Sequence, residues 1–253
     1  MSKDENKNET AWRQEIIRRL LTADGLYTLI SLCTREPYVL CDEETFDDEA
    51  LIFFDENAAK EEAKRLAGEK IPTGAGKLEK KQMLMFYTGL FTMGVNAILI
   101  KDGAGETRIQ LEDIVKRKKQ EQMPDGSVWV ENPGLHLTAL YYMQELRRPA
   151  ESRNDDRLKQ LQEEITADFR KGRYIIAVQK EEKGTPLVKV GENVLFQPVF
   201  TDILEFQKFN KENKFSPMVL EFEKIPKAMA KEATGVVINV MGVNLPLTVK
   251  REG

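Results

Sequence analysis

The sequence predicts an α/β (α+β) chain of two tandem mixed-sheet units joined by a helical bridge. Three observations carry this. Strand-like and helix-like patterns alternate along the chain, residues 132–171 read as helix only, and one order of elements recurs on either side of that stretch. The reading divides the 253 residues into a polar arm at 1–10, a first unit at 11–131, the bridge at 132–171 and a second unit at 172–253.

The arm is polar and acidic and has no apolar segment of the kind a secretory signal needs. Trp12, Ile16, Ile17, Leu20 and Leu21 then share one helical face, and Asp24-Gly25 ends that helix. Residues 29–32 and 38–40 read as strands around the turn Arg35-Glu36-Pro37. An acidic stretch, 42–49, leads into a buried-type strand at 50–54. Asp55 is placed to cap the next helix, whose apolar face is Ala59, Ala63, Leu66 and Ala67. Residues 72–76 read as a loop. Lys77 then opens a helix in which Met83, Phe86, Tyr87 and Leu90 recur at helical spacing, and Gly94 is its left-handed stop. Strands at 97–100 and 107–111 flank Asp102-Gly103-Ala104-Gly105, a hairpin signal.

The bridge opens at Asn132-Pro133, a side-chain cap followed by a proline where no N–H is needed. Its first helix passes Leu137, Leu140 and Tyr141 and stops at Arg147-Arg148-Pro149, with cations at the negative end of the dipole. Leu158, Leu161, Ile165 and Phe169 mark the second helix, closed by Lys171-Gly172. Strands follow at 174–178, 187–190 and 194–200, the last two joined by Gly191-Glu192-Asn193. Asp202-Ile203-Leu204-Glu205 is a capping box ahead of a helix that buries Ile203, Phe206 and Phe209. A strand at 218–222, a short helix with Pro226 near its first turn, and strands at 236–240 and 245–249 around Met241-Gly242 complete the chain.

The two outer regions share a plan: strand, Asp-capped helix, second helix, glycine stop, then two strands around a glycine-containing turn. The anchors are Phe53-Phe54-Asp55, Gly94 and Asp102-Gly103 in the first, and Phe200-Thr201-Asp202, Gly235 and Met241-Gly242 in the second. A strand between the two helices is clear in the second region and weak in the first. The string Met-Gly-Val-Asn occurs at both 93–96 and 241–244, but aligning it would set a helix end against a hairpin turn.

The second region resembles the SseB family, also called enhanced-serine-sensitivity proteins. The residues that carry this are Gln197-Pro198-Val199-Phe200-Thr201-Asp202 before a helix, Gly235-Val236-Val237-Ile238-Asn239, and Gly242-Val243-Asn244. The bridge is similar to that of long members of the family through residues 132–135 and Met143-Gln144-Glu145-Leu146-Arg147-Arg148-Pro149. The resemblance covers about two-thirds of the chain. It departs from the family pattern at Val240, where proline is usual. It implies two tandem units of that family and brings no catalytic residues with it.

Composition and motifs narrow the function by exclusion. The net charge of −4 lacks the basic footprint of a nucleic-acid binder, and the run Lys116-Arg117-Lys118-Lys119 reads as a solvated helix end. No apolar run approaches a membrane span. Cys33 and Cys41 read as free thiols of a reducing cytoplasm. Gly74-Ala75-Gly76-Lys77 is not a phosphate loop, because Ile71 and Leu78 stand where a Walker A motif needs glycine and a hydroxyl residue. The acidic run Asp42, Glu43, Glu44, Asp47, Asp48 lacks the glycine and spacing of a calcium loop and reads as solvated. His136 is the only histidine, which removes most zinc sites and any triad or dyad it does not itself serve; it reads as a surface or half-packed residue. No metal or cofactor is expected. The expectation is a cytoplasmic, non-catalytic module that binds a protein or small ligand; the alternative is an enzyme using carboxylates or lysines in a cleft between the two units. The candidate binding residues are Gln144, Glu145, Arg147 and Arg148, where arginine suits bidentate recognition of an acidic group, and Thr201 and Asp202 at a strand end.

Overall fold

A computed structural model describes residues 3–102, 105–117, 128–181, 184–191 and 194–251. The expected turn residues 103–104 and 192–193 and the end of the basic run at 118–119 lie outside the described residues. By packing, the chain separates into two compact units: residues 1–32, 36–91 and 95–119 form the first, and 33–35, 92–94 and 120–253 the second. The helices of 132–171 fall within the second unit.

The first unit runs α1 (Lys3–Thr22), β1 (Gly25–Ser31), β2 (Val39–Cys41), β3 (Asp48–Phe53), α2 (Glu56–Gly68), β4 (Thr73–Glu79), α3 (Lys80–Thr92), β5 (Ala97–Asp102) and β6 (Gly105–Gln110). The second runs α4 (Pro133–Leu146), α5 (Asp155–Lys171), β7 (Arg173–Gln179), β8 (Val188–Val190), β9 (Val194–Phe200), α6 (Ile203–Phe209), β10 (Phe215–Glu221), α7 (Ile225–Ala228), β11 (Gly235–Ile238) and β12 (Leu245–Thr248).

Each unit holds a six-stranded mixed sheet, and the two sheets have one topology. The strand orders are β4-β1-β3-β5-β6 with β2 on β3, and β10-β7-β9-β11-β12 with β8 on β9. In both, the central pair is parallel, β3 with β5 and β9 with β11, and every other pairing is antiparallel. The chain is thus two tandem α+β units. Registry also corrects one anchor. Glu49 pairs with Ala97 and Phe196 pairs with Gly235, and Asp55 and Asp202 stand at the same distance beyond those partners. Ala97, not Gly94, therefore occupies the place of Gly235. The repeated Met-Gly-Val-Asn string precedes β5 in one unit and follows β11 in the other.

The expected loop at 72–76 is instead part of β4, and α3 begins at Lys80 rather than Lys77. All seven residues of β4 pair with β1, from Gly25↔Glu79 to Ser31↔Thr73. Backbone ladder bonds make this strand, not side-chain propensity, so its two glycines hid it. A Cβ on Gly76 would come within 2.8 Å of Ile30 Cγ1, so the bare backbone also admits that side chain. β4 takes the place on β1 that β10 takes on β7, and it is the strand whose signal is weak in the first region. At the other end, α1 extends back to Lys3, so residues 3–10 of the expected arm are helical. No glycine or proline interrupts this run, and Ile16 and Leu20 anchor it while Trp12 and Leu21 stay exposed.

The core of the first unit sets Leu29, Leu51 and Phe53 against Ala59, Ala63 and Leu66 of α2. In the second, Ile175, Ala177 and Phe200 meet Phe206 of α6, with the Phe200 and Phe206 rings edge to face. Both α2 and α6 start at an aspartate whose carboxylate accepts backbone N–H groups. Gly235 lies so close to Leu247 O on β12 that no Cβ fits. Gly235→Ala is expected to lower the unfolding free energy by about 1–3 kcal/mol, measured by urea denaturation. Unchanged stability would contradict the tight β11–β12 approach.

Candidate functional site

The candidate residues Thr201 and Asp202 lie beyond the end of β9, beside Asn239, which follows the parallel neighbour β11. This is the carboxyl end of the parallel pair, where α/β sheets commonly place ligands. Here α4 fills the position with a side chain. Thr201, Asp202, Asn239 and His136 of α4 are all fully buried.

The Thr201 hydroxyl is the hub. Asn239 Nδ2 donates to it at 2.8 Å, and it donates its single proton to Asp202 Oδ2 at 2.8 Å. His136 Nδ1 lies 3.3 Å from the same oxygen. A hydroxyl has one proton and two lone pairs, so with its proton on Asp202 the imidazole nitrogen is the donor. Asn239 Oδ1 accepts the Thr201 N–H at 3.0 Å, and Asn239 itself holds a left-handed φ of 46° that asparagine tolerates well. Asp202 Oδ1 accepts from the Leu204 and Glu205 amides at 2.9 and 3.1 Å. Only half of the expected capping box forms, because the Glu205 carboxylate turns to Lys208 Nζ at 2.5 Å. Burial opposes ionisation of Asp202. His136, the Thr201 hydroxyl and the Glu205 amide together outweigh that effect and hold its carboxyl below the usual carboxylate range.

Two expectations are corrected here. His136 is a sealed residue, not a surface or half-packed one, because the sheet offers it a hydroxyl and a carboxylate from the far side of the chain. Asn132 precedes α4 but does not cap it with its side chain; Asn132 Nδ2 instead donates to the carbonyls of Arg173 and Thr201, both at 2.8 Å. Asn132 thereby ties the ends of β7 and β9 to the start of α4.

The other candidates sit at the far end of α4, about 16 Å from His136 at 1.5 Å of rise per residue. The Arg147 guanidinium donates to Cys33 O and, at 3.3 Å, to Asn244 O. Desolvation lowers its pKa from the ordinary arginine value. Arg148 pairs with Glu145 Oε2 at 3.2 Å, and the other oxygen of that buried Glu145 accepts the Asn154 N–H at 2.6 Å. Gln144 is half-buried beside them. The six candidates therefore form two groups, one at each end of α4. His136, Asn132 and Asn239 join the first group. Asn239 was visible only as the last residue of a strand motif.

The first unit has its own polar cluster. Arg108 of β6 bonds to Glu49 and, at 2.6 Å, to Asp42 Oδ2, with Asp47 Oδ2 at 3.7 Å. A guanidinium thus stands among the carboxylates of the acidic run. Among the described residues no group of three or more His, Cys, Asp or Glu converges as a metal site. Burial raises the pKa of Glu49, an effect that Arg108 opposes without cancelling.

No family model matches the chain, and no curated protein matches it. Among solved structures, Anabaena Tic22, described as protein transport, is similar over 83% of each chain at 12% identity, with a TM-score of 0.22. That score is too low to carry an argument.

Asp202→Ala is expected to destabilise the chain by about 2–5 kcal/mol, because it removes a helix cap and the buried acceptor of the Thr201 hydroxyl. The folded pKa of Asp202 lies below its unfolded value, so its stabilisation is present at neutral pH and is lost as pH falls through the folded pKa. Asp202→Asn should flatten the acid limb of a stability–pH curve measured by denaturant titration. Arg148→Ala, which takes the cation from the buried Glu145 carboxylate and leaves it the Asn154 amide, should cost about 1–3 kcal/mol in the same assay.

Proposed function

We propose that the chain is a cytoplasmic, non-catalytic module that binds a protein or small ligand, built of two tandem SseB-like units. One observation carries the reading. The acid, imidazole and hydroxyl that could have formed a catalytic group are sealed in the second core and turn toward one another. In a working triad the acid and the nucleophile use opposite ring nitrogens. Here Thr201 Oγ1 and Asp202 Oδ2 both face His136 Nδ1, at 3.3 and 3.7 Å, so the ring cannot relay a proton between them. The repeated topology supports duplication of one binding fold. No helix among the described residues is long and apolar enough to cross a membrane.

The test is a tagged pull-down from lysate of the source cell beside a tag-only control, with thermal-shift screening of metabolites in parallel. A stoichiometric partner, or a metabolite that raises the melting temperature and is recovered unchanged, is the expected outcome. Turnover of such a metabolite would replace this reading with the carboxylate- or lysine-based enzyme.

A further inference from the structure

The loop between β2 and β3 is closed from several sides. Asp42 N–H donates to Asp47 O at 2.9 Å, and Asp42 Oδ1 accepts from Glu44 N, Thr45 N and Thr45 Oγ1 at 3.0, 2.7 and 3.0 Å. Arg108 grips the other Asp42 oxygen, while Gln110 Nε2 and Asn96 Nδ2 hold Asp47 at 3.0 and 2.5 Å. So fixed, the loop closes through Phe46, whose φ of 59° is left-handed and whose N–H returns to Asp42 O at 2.9 Å. The turn needs a residue that accepts positive φ, which glycine and asparagine do freely and phenylalanine does not. The fold gains no packing in return, because Phe46 is 77% exposed. Glu43 and Glu44 beside it are exposed, and among the described residues they form no ion pair.

We infer that this loop is the recognition surface of the module, with Phe46 as an aromatic anchor flanked by Glu43 and Glu44. Its partner is a protein that offers an apolar pocket rimmed by lysine or arginine. This rests on the binding-module reading and commits it to a protein partner. A strained, solvent-facing residue held by a rigid frame is a mark of function rather than stability. An aromatic side chain has only two rotatable bonds, and with its backbone already held it loses little entropy on docking. The two glutamates choose a cationic rim over an acidic one.

The experiment places a benzophenone amino acid at position 46 of the full chain, and at Leu84, another exposed apolar residue, as the control. Both proteins are irradiated in the source cell. The expected result is one discrete protein adduct from position 46 and not from 84, joined to a peptide with lysine or arginine beside apolar residues. A Glu43→Lys/Glu44→Lys background should cut its yield about tenfold or more. Separately, Phe46→Gly should melt within about 3 °C of the parent or higher, since glycine relieves the backbone. The inference is overturned by an adduct indifferent to charge reversal, by an adduct to nucleic acid or to a second copy of the chain, or by a larger melting loss in Phe46→Gly. If position 46 gives no adduct while the pull-down still returns a partner, the loop assignment fails and the module reading stands. If neither returns a partner, the loop assignment fails, and the module reading falls with it unless a metabolite raises the melting temperature.

Discussion

The second unit depends on one hydroxyl group. Thr201 Oγ1 has a single proton and two lone pairs, and all three are used. Through them a helix, a strand end and a turn that are far apart in sequence are held in one geometry. A buried hydroxyl left without partners costs more than a typical hydrogen bond contributes, so its three bonds constrain every group that makes them. The fixed aim of Asn239 and the lowered pKa of Asp202 are both local consequences of that requirement.

The two units reach one topology with different polar chemistry at the same place. Where the second sheet ends in Thr201 and Asn239, registry puts Phe54 and Lys101 in the first. Lys101 there reaches Glu62 of α2 at 3.1 Å and Glu106 of β6 at 2.9 Å. Its bonds stay inside the first unit's own sheet and helix. The two units also differ at the opposite end of the parallel pair. Glu49 is buried with Arg108 in one, whereas Phe196 is a buried ring in the other. A shared strand order therefore does not imply a shared function, because side chains set the chemistry on each copy.

The aspartate caps are legible in the sequence. Asp55 and Asp202 announce their helices because a cap acts on amides two or three residues away. Strands β3 and β9 are plain in composition because they lie buried in the middle of their sheets. What the sequence concealed was set by distant partners. β4 is a glycine-rich string that becomes a strand only because β1, some fifty residues earlier, supplies its ladder. His136 sits in a stretch that reads as an ordinary helix start, and its hydroxyl partner is 65 residues away. Asn132 had the sequence of a cap, yet two carbonyls from β7 and the end of β9 outcompeted the local amides. Phe46 gave no signal, since positive φ is a property of the closed loop and not of phenylalanine.

The sealing of His136 also makes the chain its own reporter. With one imidazole in 253 residues, any histidine-selective signal comes from a single place. A ring nitrogen becomes reachable by solvent only when α4 lifts from the sheet. Exchange or chemical labelling at that ring would therefore time the departure of one helix, separately from melting of the rest, with no probe added to the protein.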